Sequence, residues 1–222
     1  SPENDFLKKV REIATRTGVV LIFDEITVGW KLTYGGAHLL YGVDPDIAVF
    51  SKAMSNGHPM AAIIGRTDVM QAAQQSFISS TYWTERVGPV AALATLKKMK
   101  KINVPKHLLR AGNMVRKGWV DLSKKHDINI KLGGVIPISS FTFQYGEDSQ
   151  ALKTLFVQEM LERGFLATNM FFATCAHTDV LIQKYLREVD KVFAIISHAI
   201  KTKTVRKMLR GPEAHTGFAR LN

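Results

Sequence analysis

The chain has 222 residues, 46% hydrophobic and 22% charged, the balance of a folded globular protein with room for one large domain or two ordinary ones. No apolar run approaches the ~20 residues that span a membrane and no secretory apolar segment opens the chain; the lone cysteine, Cys175, excludes an internal disulfide and a thiolate zinc cluster and fits a reducing cytoplasm. The formal charge of +11 raises a nucleic-acid reading.

The chain opens without methionine on SPENDFLKKVREIA, already a helix start, and is expected to be a piece of something longer whose remainder balances part of that charge. Asn4 or Asp5 caps a helix to about Thr17, with Phe6, Val10 and Ile13 or Ala14 on one face and Gly18 ending it. VVLIF at 19–23 is too short for a helix and rich in β-branched residues, which predicts a strand buried on both faces, as in a parallel sheet. It ends in Asp24-Glu25, and TYGGAHLLYGVDPD then predicts a turn, a short helix and another turn.

A second buried strand at 47–50 runs straight into Ser51-Lys52, and MAAIIG at 60–65 predicts a third. A capped helix starts at Thr67, SFISSTYWTERVG is mostly loop, and 86–101 is a long helix whose basic end suits the helix dipole. Beyond Asn103 come a helix from about Pro105 to His126 and strands at 128–132 and 137–143, the latter alternating Phe141 and Phe143 with polar neighbours. A helix at 149–162 ended by Gly164, a strand-like run at 165–172, a helix at 178–202 and a partly irregular basic tail complete the chain. The change of character near 101–104 predicts an α/β part over 1–101 and a smaller α+β part over 102–222.

Asp24 and Lys52 each end an apolar strand, at the edge where open α/β sheets bind ligands. A lysine with its ordinary pKa near 10.4 is protonated and unreactive; burial or a neighbouring cation makes the amine fit to form an imine. A carboxylate at the same edge can keep a pyridine nitrogen protonated, and an imine lysine with such a partner is what pyridoxal phosphate (PLP) chemistry requires of a protein. Position alone also fits a solvated edge lysine and a turn-forming aspartate.

The wording around the pair is more specific. LIFDEITVGWKLTYGGAHLLYGVDPDIAVFSKAMSNGHPMAAIIG resembles the central signature of class III PLP-dependent aminotransferases, nearest to the glutamate-1-semialdehyde aminomutase-like branch. The resemblance implies an α/β, aspartate-aminotransferase-like fold (PLP fold type I), with 1–101 supplying part of a large, mainly parallel-sheet PLP-binding domain and 102–222 the small C-terminal domain. It implies that Asp24 pairs with the pyridine nitrogen, Ile26 packs on the ring, and Lys52 forms the Schiff base and serves as base of the 1,3-proton shift. STYWTERVGPVAALATLKKM and the tail HTGFARLN continue it, and Thr81 matches the residue that reaches the phosphate of the partner subunit's cofactor, implying a homodimer with shared active sites.

Met54-Ser55-Asn56-Gly57 and STYWTE depart from the family's wording at segments that border the substrate, a small amino-acid or amino-sugar-like molecule. His58, Tyr82, Trp83 and Glu85 are the candidates to contact it. The family's own-subunit phosphate loop and ring-stacking aromatic lie upstream of Ser1, so the 222 residues alone are expected to bind PLP weakly and to be inactive.

The remaining histidines show no metal-binding spacing, Cys175 reads as a packed small residue, and Met60, Met70, Met99, Met114 and Met160 read as core filler. The lysine runs at 97–101, 124–125 and 201–210 fall on helix ends or the tail, where solvated faces explain them, and no tryptophan interleaves with them as a nucleic-acid platform requires. The competing reading is a non-catalytic basic module for nucleic acid or another polyanion, which needs no acid and lysine at two strand ends.

Overall fold

A computed structural model describes residues 5–79, 81, 84–215 and 217. The chain falls into two units, one ending at Leu109 and the other beginning at Arg110.

In the first unit, helix α1 (Phe6–Thr17) stops at Gly18, which takes the left-handed conformation at φ 71° and bonds its N–H to Ala14 O. Asp5 precedes the helix at φ 56° and makes no side-chain cap, and Asn4, the other expected cap, lies outside the described residues. Strand β1 (Ile22–Asp24), the short helix α2 (His38–Tyr41) and strand β2 (Ile47–Phe50) follow, and β1 and β2 pair in parallel with Ile22 opposite Ile47 and Asp24 opposite Val49. Strand β3 (Ala62–Gly65) runs antiparallel to β2, so this sheet, in the order β1-β2-β3, holds one parallel and one antiparallel pair.

The apolar run at 19–23 corrects one expectation. Its strand is β1, but Val19, Val20 and Ile22 are 59%, 44% and 55% exposed rather than buried on both faces. Among the described residues β1 pairs with β2 alone, and the apolarity of a run says nothing about which of its faces is covered.

The entry to β2 is fixed by Asp46, which is buried. Its Oδ2 accepts from Leu21 N at 2.7 Å and Arg11 Nη1 at 2.9 Å, and its Oδ1 from Arg66 Nη1 at 3.1 Å, tying α1, β1 and the end of β3 to one carboxylate. The Leu21 N–H first, and then the Arg11 guanidinium, hold this carboxyl below the usual carboxylate range against the opposing effect of burial. A depressed folded-state pKa stabilises the fold above the unfolded carboxylate pKa, about 3.9, and the contribution is lost as pH falls through the lower folded value. Asp46→Ala is therefore expected to cost about 2 kcal/mol at neutral pH. In thermal unfolding the gap from the parent should close below about pH 4; a gap unchanged by acid would contradict the clamp.

Helix α3 (Thr67–Met70) begins at Thr67 without a side-chain cap, and helix α4 (Val87–Ile102) ends at Asn103, φ 49°. Ala48, Phe50, Met54 and Ala92 form the buried cluster of this unit, with Trp30, Met60, Ala62 and Leu96 packed against it.

Helix α5 (Val104–Lys125) carries the division between the units. The second unit contains strands β4 (Ile130–Val135) and β5 (Ile138–Phe143), helix α6 (Ser149–Glu162), strand β6 (Met170–Phe172) and helix α7 (Asp179–Thr202), with an antiparallel sheet in the order β4-β5-β6. Only 170–172 of the run expected at 165–172 pairs as strand. Phe141 has no exposed surface, and its ring meets Trp119, Phe143, Phe156 and Phe193 at centroid distances of 4.9, 5.3, 5.3 and 6.0 Å. α5 and α7 approach closely at Gly118, where a Cβ would lie 2.5 Å from the Leu186 side chain. Trp119 Nε1 donates to Tyr185 Oη at 3.0 Å in the interior, and burial pushes the Tyr185 phenol well above its ordinary range.

Cys175, expected to be packed, is exposed. It lies on the connection between β6 and α7, which the core does not cover. Met160 is fully buried, whereas Met60, Met70, Met99 and Met114 are only half-buried. No helix among the described residues is long and apolar enough to cross a membrane.

Candidate active site

The site begins where β1 and β2 end side by side. Their pairing continues one step beyond the strand, with Glu25 N donating to Val49 O at 2.9 Å, so Asp24 and the residues after Phe50 emerge at the same edge. The chain then turns sharply: Asp24 Oδ1 accepts from Ile26 N at 3.0 Å and Gly29 N donates to Glu25 O at 2.8 Å. A Cβ on Gly29 would lie 2.8 Å from Glu25 O and 3.0 Å from the Phe50 ring, so glycine is what lets the turn rest on the last residue of β2. Trp30 closes it against Phe50 at a ring distance of 4.7 Å.

This turn brings Thr27 to Lys52. Lys52 opens a single 3-10 turn (Lys52–Met54) at φ 47°, a left-handed conformation that costs energy in any residue with a Cβ. Its Nζ donates to Thr27 Oγ1 at 2.7 Å. Asp24 and Lys52 are exposed and Ile26 is half-buried. The lysine at the mouth of a buried strand is therefore not solvated alone but held by a hydroxyl on the neighbouring strand's turn.

A second lysine meets the same threonine. Lys31 Nζ donates to Thr27 O at 2.5 Å, and burial, followed by the charge of Lys52, lowers the Lys31 pKa. Behind the turn Glu25 is 3% exposed; its Oε1 accepts from His38 N and pairs with His38 Nδ1, each at 3.0 Å, while Oε2 is buried with no partner among the described residues. Gly36 makes room for this pair, since its Cβ would fall 3.0 Å from Glu25 Oε1.

Of the residues read from sequence, Asp24, Ile26 and Lys52 come together at one sheet edge. His58 is exposed just beyond the 3-10 turn, with its N–H donating to Ser55 O at 3.3 Å. Thr81 is an exposed turn residue, and Tyr82 and Trp83 lie outside the described residues. Glu85 caps α4, its two oxygens accepting from Val87 N at 2.9 Å and Gly88 N at 3.3 Å. Thr27, Lys31, Glu25 and His38 were not singled out in the sequence. The only available signal was the four-residue spacing of Thr27 and Lys31 in the turn after Asp24.

An amine and a carboxylate at the ends of adjacent parallel strands define a ligand-binding edge of an α/β fold. The model for the family described as aminotransferase class-III matches residues 1–200, and the chain belongs to that family. It is 29% identical over 188 residues to 2'-deamino-2'-hydroxyneamine transaminase of Streptomyces kanamyceticus, covering 82% of this chain and 47% of that protein. It is 32% identical over 206 residues to glutamate-1-semialdehyde 2,1-aminomutase of Clostridium kluyveri, covering 84% and 48%. Among solved structures, the PLP internal aldimine form of the FumI protein of Sphingopyxis sp. MTA144 superposes with a TM-score of 0.82 at 22% identity, over 89% of this chain and 48% of that one. An omega-transaminase from Sphaerobacter thermophilus gives 0.75 at 20% identity, over 90% and 49%. These two establish the fold, and the chain spans about half the length of the relatives it matches.

Proposed function

We propose that the protein to which this chain belongs is a PLP-dependent aminotransferase or aminomutase, with Lys52 as its Schiff-base lysine and Asp24 as the partner of the cofactor's ring nitrogen. The observation that carries the reading is the emergence of this amine and this carboxylate from paired, parallel strand ends within the family match. The residues fit the group. Asp24 uses Oδ1 for Ile26 N, which leaves Oδ2 for an N–H donor, and the Lys52 amine is exposed, with the Thr27 hydroxyl as its hydrogen-bond partner among the described residues.

When bound, PLP supplies an aldehyde that condenses with amines and a protonated ring that withdraws electrons from the bond being broken. Asp24 keeps the proton on the ring nitrogen. Ile26 offers an aliphatic surface to the ring face. Lys52 would supply the amine that joins that aldehyde, and the same amine, when free, would serve as the base that moves a proton. We assign His58, Tyr82, Trp83 and Glu85 to the substrate side, with Glu85 also holding the first turn of α4. The substrate is a small amine-bearing molecule, an amino acid or amino sugar; the similarity to 2'-deamino-2'-hydroxyneamine transaminase supports the latter.

In this reading residues 1–101 belong to the large PLP-binding domain and 102–222 form the small one. The protein is a cytoplasmic homodimer, with Thr81 reaching the phosphate held by the partner subunit. The test is Asp24→Asn in the whole protein. Amino transfer should fall about a hundredfold while PLP still attaches to Lys52; an unchanged rate would remove Asp24 from its role.

A further inference from the structure

Lys52 and Lys31 both donate to Thr27, one to the hydroxyl at 2.7 Å and the other to the carbonyl at 2.5 Å. Each end of one residue is thus held by a different ammonium. Thr27 sits in the turn that Gly29 and Trp30 press onto Phe50, at the end of the strand from which Lys52 departs. Its hydroxyl reaches Lys52 only while the backbone of that turn keeps its place, and the Lys31 bond to the Thr27 carbonyl is a side-chain contact that fixes that backbone. Lys31 is half-buried, and its pKa is lowered by burial and then by the Lys52 charge. The hydrogen bond to the Thr27 carbonyl offsets part of the cost of burying that ammonium.

We propose that Lys31 is a positioning residue for the Lys52 amine, acting through Thr27: the Lys31 ammonium pins the Thr27 carbonyl, and the Thr27 hydroxyl thereby holds Lys52 Nζ at the sheet edge. The functional meaning rests on the reading of Lys52 as the Schiff-base lysine. No bond is made or broken by Lys31. Thr27 Oγ1 accepts from Lys52 Nζ, which leaves the hydroxyl proton to be donated elsewhere.

The test follows the Lys52 side-chain N–H protons by nitrogen-edited NMR in mildly acidic, cold buffer, in the apoprotein, where no activity is needed. Thr27→Val should remove the acceptor and speed exchange of the Lys52 Nζ protons about fivefold, the factor for one net hydrogen bond. Lys31→Met should speed it to a similar degree although it does not touch Lys52. Lys31→Arg, which can still donate to the Thr27 carbonyl, should restore slow exchange. Backbone amide spectra report whether each variant keeps its fold. Should the Lys31→Met fold fail, the comparison passes to Lys31→Gln, whose amide reaches less far and should give faster exchange than arginine. Lys52 exchange that is the same in parent, methionine and glutamine variants would overturn the proposal. Reduction of the PLP-loaded whole protein with borohydride separates the two layers: an adduct on a lysine other than Lys52 overturns the functional reading and the proposal with it, whereas an adduct on Lys52 with exchange indifferent to Lys31 overturns the proposal alone.

Discussion

Lys52→Ala in the whole protein should abolish borohydride-stable PLP attachment and lower amino transfer by about 10³-fold or more, because it removes both the nucleophile and the proton-carrying base. The variant should fold as the parent does. Lys52 is exposed, its side-chain hydrogen bond among the described residues is to Thr27, and alanine, which also has a Cβ, bears about the same cost of the left-handed φ as lysine does. Loss of stability is therefore not an available explanation for loss of activity. Retention of the cofactor's absorbance and of full turnover would show that another amine does the chemistry. Partial retention of binding with turnover lost is still consistent, since the phosphate and ring can be held without the imine.

The second large effect is on stability, in the second unit. Phe141→Ala removes the ring at the centre of a cluster that joins β5 to α5, α6 and α7 through Trp119, Phe156 and Phe193. Deleting a fully buried phenylalanine costs about 4 kcal/mol through lost transfer energy and the cavity left behind, and the edge-to-face contacts with its neighbours add to this. Denaturant unfolding should show the transition of that unit moved to markedly lower denaturant. Phe141→Leu, which keeps most of the volume, should recover more than half of the loss. Equal effects of alanine and leucine would mean that the ring geometry, rather than the filled space, holds the cluster.

The strands were legible because a parallel strand is a short apolar run and its end is marked by the first residues that cannot be buried. Asp24 and Lys52 are such residues, and they stand at the ends the sequence implied. Phe141 and Phe143 were legible for a related reason: alternation with polar neighbours is what one covered sheet face requires, and both rings are buried. Gly18 and Gly164 marked helix ends through the left-handed backbone they adopt, at φ 71° and 77°.

Other features could not be read in this way. The exposure of Val19, Val20 and Ile22 depends on what packs over the faces of that run, which its apolarity does not specify. The Glu25–His38 pair forms because the chain folds back from β1 through α2, which brings together residues with no helical or strand period between them. The Lys31–Thr27–Lys52 arrangement is similar: the turn places the first two, but the third arrives from another strand. Glu85 was read as a polar group beside a binding segment, and its position just before α4 also lets it accept from the first backbone N–H groups of that helix. A short-range rule, an acidic residue ahead of a helix start, could have found that role.

The most direct test of the central claim is to load the whole protein with PLP, reduce with borohydride, digest, and locate the pyridoxyl group by mass spectrometry. The account predicts one modified peptide, carrying the group on Lys52. A pyridoxyl group on any other lysine, or none on a folded protein that retains amino-transfer activity, would contradict it.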